Sequence, residues 1–128
     1  KQYMVLQMTS EATHTDVSSG DVRRGQQIFK KSCAQCHTVK PNGRGKTQGP
    51  NLYGIFGSIS GSKVKEWGGR SARLEQLGFP WNAATMHSFL ESPKLLIPHV
   101  NGDTSCMNFK GMRSEDDRKD LVAFLSLI

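Results

Sequence analysis

The sequence has little cysteine and no long apolar run. Its three cysteines, Cys33, Cys36 and Cys106, are an odd number, which is not typical of a disulfide framework. The longest apolar run extends from Leu121 to Ile128, far short of the roughly 20 residues that span a bilayer. A chain of 128 residues has room for about one domain. These features argue against a membrane-spanning enzyme and against a large two-domain catalyst.

Acidic residues are scarce in the first half of the chain. Residues 21–73 contain eleven Lys and Arg against two Asp and Glu, whereas residues 74–128 contain five against seven. The net charge is +6. A basic half of this kind indicates an anionic partner, and a solvated basic surface would explain the same pattern. Charge alone leaves both interpretations open.

The chain divides into a short polar start and one longer domain. Residues 1–19 are rich in Ser and Thr and have no helical periodicity, so we expect a flexible N-terminal extension there. Residues 20–128 are expected to form the domain. Helical spacing and capping residues predict helices and no strands in it. The predicted helical segments are Asp21 to about Cys33, Ser71–Leu77, the segment from Asn82 to just before Pro93, Pro93–Leu96, and Glu115 to the end.

Glycine is concentrated between the first two predicted helices. Residues 40–70 contain eight of the thirteen glycines, together with Pro41 and Pro50. This composition predicts one long loop, and residues 98–105 are expected to be a second loop. A long loop inside a compact domain is typically functional. We therefore expect the first loop to wrap around a bound group.

The segment Cys33-Ala34-Gln35-Cys36-His37 has the Cys-x-x-Cys-His pattern that attaches a c-type haem. Two thiols about one helical turn apart can each add to one vinyl group of the porphyrin. The histidine that follows is then held over the iron as the proximal ligand. The alternatives are a thioredoxin-like redox motif, which would need a βαβ setting, a zinc site that uses Cys106 as well, and a chance match.

A second axial ligand of the haem iron would have to come from a distant part of the chain. The residues of suitable chemistry are methionines, histidines and one cysteine. Most methionines of a small protein only fill its core, so spacing alone does not choose among them. The candidates are Met86, His87, His99, Cys106, Met107 and Met112.

Several motifs in the right order resemble mitochondrial cytochrome c, a class I c-type cytochrome. The resemblance covers residues 20–128 and leaves residues 1–19 outside. Its motifs are Gly20-Asp21-Val22 with Gly25 and Phe29 ahead of the Cys-x-x-Cys-His segment, Gly49-Pro50-Asn51-Leu52 with Gly54 and Phe56-Gly57, Trp81 with Met86, Leu90 and Pro93-Lys94, Ile97-Pro98, Met107 with Phe109 and Gly111, and Asp120-Leu121 with Ala123 and Leu125.

The resemblance implies an all-α class I fold in which the first and last helices cross around one haem c. It implies that Met107 is the distal iron ligand. It also implies that the Pro50 carbonyl accepts a hydrogen bond from the second ring nitrogen of His37, and that Trp81 donates to a haem propionate. His/Met ligation raises the reduction potential. An iron with both axial positions filled favours electron transfer over catalysis.

The sequence departs from the family pattern at several positions. Ser58 replaces an arginine near a propionate, and Lys63, Arg70 or Trp67 could compensate. The remaining departures concern the iron ligand and the partner-binding surface. Phe89 replaces a tyrosine beside the methionine sulfur, the segment 97–107 is longer than in the family and places Cys106 next to Met107, and the ring of lysines keeps Lys30, Lys31 and Lys94 but is thinned on the C-terminal side.

The function implied by the resemblance is that of an electron carrier and not an enzyme. Its partners would be quinol–cytochrome c reductase and cytochrome c oxidase, and it would be a monomer when free. It would lie in the mitochondrial intermembrane space, with the bacterial periplasm as the alternative. Two other functions stay open, namely a permanently bound haem subunit of a respiratory assembly and a haem peroxidase.

Overall fold

A computed structural model of the protein describes residues 20–69, 71–97 and 109–128. The described part of the chain is helical, and its only β-type contacts are two isolated bridges, Thr38 with Asn51 and Ile59 with Pro80. The predicted all-α fold is confirmed. The helices are α1 (Val22–Ser32), α2 (Ser62–Trp67), α3 (Ala72–Leu77), α4 (Ala83–Glu91), α5 (Pro93–Leu96) and α6 (Glu115–Leu125).

Polar side chains fix where four of these helices begin. Asp21, Ser71, Asn82 and Ser114 each accept a hydrogen bond from a backbone N–H of the first turn. At α4 a second bond runs in the opposite direction, since the Thr85 hydroxyl accepts a hydrogen bond from the Asn82 N–H at 2.8 Å. Such caps satisfy backbone groups that have no partner inside the helix. The helix starts predicted at Asp21, Asn82 and Ser114 are therefore confirmed.

The prediction that residues 40–70 form one uninterrupted loop is wrong. The segment contains α2, a helix of six residues. Gly61 and Gly68 flank it with left-handed φ values of 86° and 97°, which residues with a side chain rarely adopt. The sequence predicts a loop here because glycine flanks the segment at both ends. Six residues are also too few to show helical periodicity. The two turns at these glycines set the ends of α2.

The first and last helices cross at Gly25. A Cβ atom at this position would collide with the Asp120 carbonyl oxygen and would lie 2.8 Å from the Phe124 Cβ. One turn further along α1, the Phe29 ring packs against Phe124 with 5.7 Å between ring centroids. The crossing of the first and last helices, which the resemblance implied, is therefore confirmed. The absence of a side chain at Gly25 lets the two backbones approach closely.

Salt bridges and a buried apolar face hold the helix crossing from opposite sides. On the outside, the Arg24 guanidinium pairs with Asp117 and, at 2.7 Å, with Asp120. On the inside, Leu121 and Val122 of α6 are fully buried. The inner face of α6 belongs to the main apolar cluster of the domain. The crossing therefore forms one side of the core.

Edge-to-face aromatic contacts continue the core towards α4. Trp81 contacts Phe79 at 4.9 Å and Phe89 at 5.3 Å between ring centroids, with interplanar angles of 81° and 86°. Phe89 in turn stacks on Phe109 at 6.4 Å. Edge-to-face pairs of this kind add to the stability gained by burial. The aromatic residues link the loop before α4 to the segment before α6.

Some predictions fall on residues that the structure does not describe. The extension at residues 1–19, Arg70, the loop 98–105, Cys106 and Met107 lie outside the described residues. Within the described ranges, none of the helices has the length and apolar character needed to cross a membrane.

Candidate haem site

The two cysteines of the Cys-x-x-Cys-His segment lie on one turn at the end of α1. The Cys33 N–H still bonds to the Phe29 carbonyl, at 2.8 Å, which makes Cys33 the C-cap of the helix. The N–H groups of Cys36 and His37 then both donate to the Cys33 carbonyl, at 3.1 and 3.0 Å. This turn directs Cys33, Cys36 and His37 towards the same cavity.

This cavity has a volume of about 340 Å³ and lies between the helix crossing and the loop before α4. Its size is in the range of about 300–1,000 Å³ that is typical of ligand sites. Apart from the Cys-x-x-Cys-His segment, most of its walls are apolar. The apolar lining includes Phe29, Leu52, Ile55, Val64, Leu74, Trp81, Met86, Phe89, Leu90, Leu121 and Leu125.

His37 is held by a backbone carbonyl. Its Nδ1 lies 2.9 Å from the Pro50 carbonyl oxygen, which can only accept, so Nδ1 carries the proton. Burial lowers the pKa of His37, and the hydrogen bond to Pro50 opposes this shift only in part. A neutral imidazole in this tautomer keeps the lone pair of Nε2. That atom is the one that can coordinate a metal, and the Pro50 bond fixes the orientation of the ring.

Gly49 gives the His37 ring the space it occupies. A Cβ atom at residue 49 would lie 2.6 Å from His37 Cε1 and 2.8 Å from Nδ1. Neither distance is possible without moving the ring. Sequence reasoning did not identify this role of Gly49. Its place directly before Pro50, which contacts the same ring, is the signal that could have indicated it.

Cys33 lies partly buried at the cavity wall. Burial raises its pKa to about 11, with a smaller contribution from Cys36. A thioredoxin-like motif needs a lowered cysteine pKa, so the structure argues against that alternative. Cys33 and Cys36 do not form a disulfide with each other. Among residues 20–69, 71–97 and 109–128, no three His, Cys, Asp or Glu side chains are grouped as a metal site, and Cys106 of the proposed zinc site lies outside these ranges.

Trp81 places a hydrogen-bond donor at the cavity wall. The residue is buried, and its backbone N–H donates to the Ser58 carbonyl at 2.8 Å. Its indole ring lines the cavity. The indole N–H is therefore a donor that a group bound in the cavity can use.

Of the candidate second iron ligands, the structure describes Met86, His87 and Met112. Met86 is buried and lines the cavity. Met112 packs against the apolar core, and its backbone N–H donates to the Leu90 carbonyl at 2.7 Å. Neither Met112 nor His87 is among the residues that line the cavity. Met107, the ligand implied by the resemblance, is outside the described residues.

The residues around the cavity fit a c-type haem. A haem is a flat apolar disc, which matches the apolar walls, and its two vinyl groups need two thiols, which Cys33 and Cys36 supply. Its iron needs a neutral imidazole, which His37 supplies. Its two propionates need donors, and Trp81, which the resemblance assigns to one of them, lines the cavity. The geometry thus brings Cys33, Cys36, His37, Pro50 and Trp81 to one site.

Comparison with known proteins identifies the family. Residues 22–127 match the family model described as Cytochrome c. The cytochrome c of Gibberella zeae is 39% identical over 109 residues, which cover 85% of this chain and 95% of that protein. The cytochrome c of Stellaria longipes is 41% identical over 106 residues, covering 83% and 91%. That of Chlamydomonas reinhardtii is 35% identical over 114 residues, covering 89% and 95%.

The resemblance noted in the sequence motifs is therefore confirmed along most of the chain. The haem prediction from the Cys-x-x-Cys-His spacing is confirmed with it. The chain belongs to the cytochrome c family of haem-containing electron carriers, which are not enzymes, and it carries one haem c attached covalently through Cys33 and Cys36.

Proposed function

We propose that this protein shuttles single electrons from quinol–cytochrome c reductase to cytochrome c oxidase in the mitochondrial intermembrane space. When bound, haem c supplies an iron that alternates between the ferrous and ferric states. The observation that carries the proposal is the apolar cavity that gathers Cys33, Cys36 and the oriented imidazole of His37. The cytochromes c it matches come from fungi, plants and an alga, which favours a mitochondrion over a bacterial periplasm.

In this proposal, His37 and Met107 are the residues that would hold the haem iron. Pro50 occupies Nδ1 of His37, which leaves Nε2 for the iron. A methionine on the other side raises the reduction potential, as expected of a cytochrome c. With both positions filled, no site is left for a substrate. The protein's own residues then have to orient the group, exclude water and present it to partners.

The ligand assignment is tested by comparing two methionines. Met107→Ala should abolish the methionine–ferric charge-transfer band and lower the midpoint potential. Met112→Ala should keep both and cost about 2 kcal/mol of stability, because Met112 is a half-buried core residue. Optical spectra and redox titrations of the two variants separate these outcomes. The reverse result would move the ligand to Met112.

Positive charge lies close to the attachment segment. Lys30 and Lys31 are exposed on the last turn of α1, and only Ser32 separates them from Cys33. The ammonium group of Lys46 donates to the Ala34 carbonyl, between the two cysteines. By contrast, the first turn of α6 carries the acidic residues 115–117. Because opposite charges mainly raise association rates, the surface around Lys30 and Lys31 is the proposed docking face for acidic partners.

Charge reversal tests this docking face. Reversing Lys30 and Lys31 to Glu should slow association with the reductase and oxidase about tenfold at low salt. The penalty should shrink as salt rises, because the screening length falls to about 8 Å at physiological ionic strength. Lys119 on α6, whose Nζ lies 3.9 Å from Glu115 Oε2, is the control. Its reversal should change the association rate much less. Stopped-flow rates at several salt concentrations make the comparison.

Two outcomes would favour the alternatives. Equal effects of the Lys30/Lys31 and Lys119 reversals, together with co-purification of the protein with a respiratory complex at high salt, would indicate a permanently bound subunit. Ready binding of carbon monoxide to the resting ferrous protein would indicate an open iron and a peroxidase. The proposed shuttle should wash off at high salt and bind carbon monoxide poorly.

A further inference from the structure

Among the described residues, one formal charge lies at the cavity wall. Among the described residues that line it, Lys63 is the only Lys, Arg, Asp or Glu side chain. All the other described lining residues are apolar or uncharged, with His37 neutral. A haem brings two carboxylates into this cavity, and burying an unpaired carboxylate is costly. The position of Lys63 therefore indicates where a carboxylate in the cavity can find a positive charge.

The Lys63 side chain as a whole is largely shielded from solvent. Lys63 is the second residue of α2, and its side chain is only 19% exposed. Its Nζ is 3.5 Å from the position that a Cβ atom would take at Gly54, the residue before cavity-lining Ile55. The ammonium group thus lies beside the loop that closes the cavity.

The partner of Lys63 within the described chain is a weak one. Its Nζ is 3.3 Å from Glu66 Oε1, and the Glu66 side chain is 67% exposed. An exposed pair of this kind typically contributes about 0–1 kcal/mol. The contact with Glu66 therefore leaves Lys63, which lines the cavity, able to pair with a second anion there.

The other described candidates for this role are already engaged. The Ser58 hydroxyl, which stands where the family has an arginine, donates to the Ile55 carbonyl at 2.6 Å. The Trp67 indole N–H donates to the Lys46 carbonyl at 2.9 Å. Arg70 is not among the described residues. Of the three residues considered as substitutes for the arginine, Lys63 is the one that brings a charge to the described cavity wall.

We propose that Lys63 is the positioning residue that pairs with a haem propionate and replaces the arginine lost at Ser58. The inference rests on the haem occupying this cavity. The charge has moved from the turn after Phe56 to α2, a helix that the flanking glycines Gly61 and Gly68 delimit. The positive charge of Lys63 stabilises the ionised propionate and compensates its negative charge, without any contact between Lys63 and the iron.

The test compares neutral, conservative and displaced variants of the haem-loaded protein. Lys63→Met keeps the aliphatic stem but leaves a propionate uncompensated, which stabilises the ferric state. We expect a lower midpoint potential and shifted propionate carboxylate bands in redox-induced infrared difference spectra. Lys63→Arg should restore both values. Lys65→Met removes the same charge from an exposed position of the same helix and should leave both at the wild-type values.

The contradicting results are distinct from those that would refute the electron-carrier function. Equal potentials for the Lys63→Met and Lys65→Met variants would overturn the inference while the haem and its function stand. A shift in Glu66→Gln as large as that in Lys63→Met would also overturn it, because the surface ion pair would then be the cause. A wild-type protein without covalent haem would overturn both proposals.

Discussion

The two sides of the cavity are built in different ways. The helix crossing, formed by α1 and α6, buries a continuous apolar face with Gly25 at the closest point. The glycine-rich wall, formed by residues 40–69, is held by hydrogen bonds between backbone groups and by side chains that donate to backbone carbonyls. Asn51 donates to the carbonyls of Lys40 and Gly43 at 2.8 and 3.0 Å, and Trp67 donates to that of Lys46.

The difference teaches where the stability of the domain lies. Close packing transmits a local change to the whole core, so damage to the helix crossing should unfold the protein. Individual hydrogen bonds contribute about 1 kcal/mol each, and segments with few buried contacts open locally. Damage to the glycine-rich wall should therefore open the haem site while the remaining fold persists. Three substitutions test this contrast.

The largest effect is expected from Gly25→Ala. The added methyl group would collide with the Asp120 backbone and crowd Phe124, so the helices must separate. Overpacking of this kind costs about 3 kcal/mol. The loss should appear in the global free energy of unfolding, measured by urea titration.

Gln26→Ala is the matched control for that substitution. Gln26 is the next residue of α1 and is exposed, so alanine there should change the free energy of unfolding little. If Gly25→Ala is as stable as Gln26→Ala, the close approach of the two helices is not what holds the crossing together.

A smaller effect is expected from Asp120→Asn. Burial of the carboxyl opposes ionisation, but hydrogen bonds from the Asp21 N–H and the Arg24 guanidinium outweigh it and hold the pKa of Asp120 below its usual value. The lowered pKa means that the ionised carboxyl stabilises the fold above about pH 4, and that this stability is lost as the pH falls further. Asp120→Asn should cost about 2 kcal/mol at pH 7.

The pH dependence of that loss is the sharper measurement. The difference in unfolding free energy between wild type and Asp120→Asn should narrow as the pH falls below about 4. Asp116→Asn, at an exposed position of the same helix, should show no comparable loss at pH 7. A difference between wild type and Asp120→Asn that stays constant from pH 7 to pH 3 would refute the ionic contribution.

The smallest effect is expected from Trp67→Phe in the glycine-rich wall. The substitution removes the indole N–H that donates to the Lys46 carbonyl at 2.9 Å and should cost about 1 kcal/mol. Hydrogen exchange should speed up for amides of residues 40–69, while amides of α1 and α6 keep their protection. Equal loss of protection in both regions would mean that the wall and the crossing unfold as one unit.

The sequence predicted the helix crossing better than the wall. Apolar spacing and the caps Asp21 and Ser114 indicated α1 and α6, because periodicity and capping are local properties of the chain. The helix α2 was not predicted, because the glycines that flank it, Gly61 and Gly68, are typical of loops. The bond from Trp67 to Lys46 could not be predicted, because a bond to a backbone carbonyl needs no particular residue type at the acceptor.

The sequence likewise predicted some features of the candidate site and not others. Cys33, Cys36 and His37 follow from a spacing that the attachment chemistry requires, and the bond from His37 to Pro50 came from the family motifs. The space that Gly49 leaves for the imidazole was not predicted, because it depends on how two distant turns approach each other. The choice of Lys63 over Trp67 likewise required the hydrogen bonds of the folded chain.

Covalent attachment of the haem is the most direct test of the site as a whole. Acid–organic extraction followed by intact-mass spectrometry should find one haem retained on the wild-type chain. A peptide containing Cys33 and Cys36 should carry the added mass through two thioether bonds. A haem that extracts freely, or a bound zinc ion in its place, would contradict the assignment of the cavity and everything built on it.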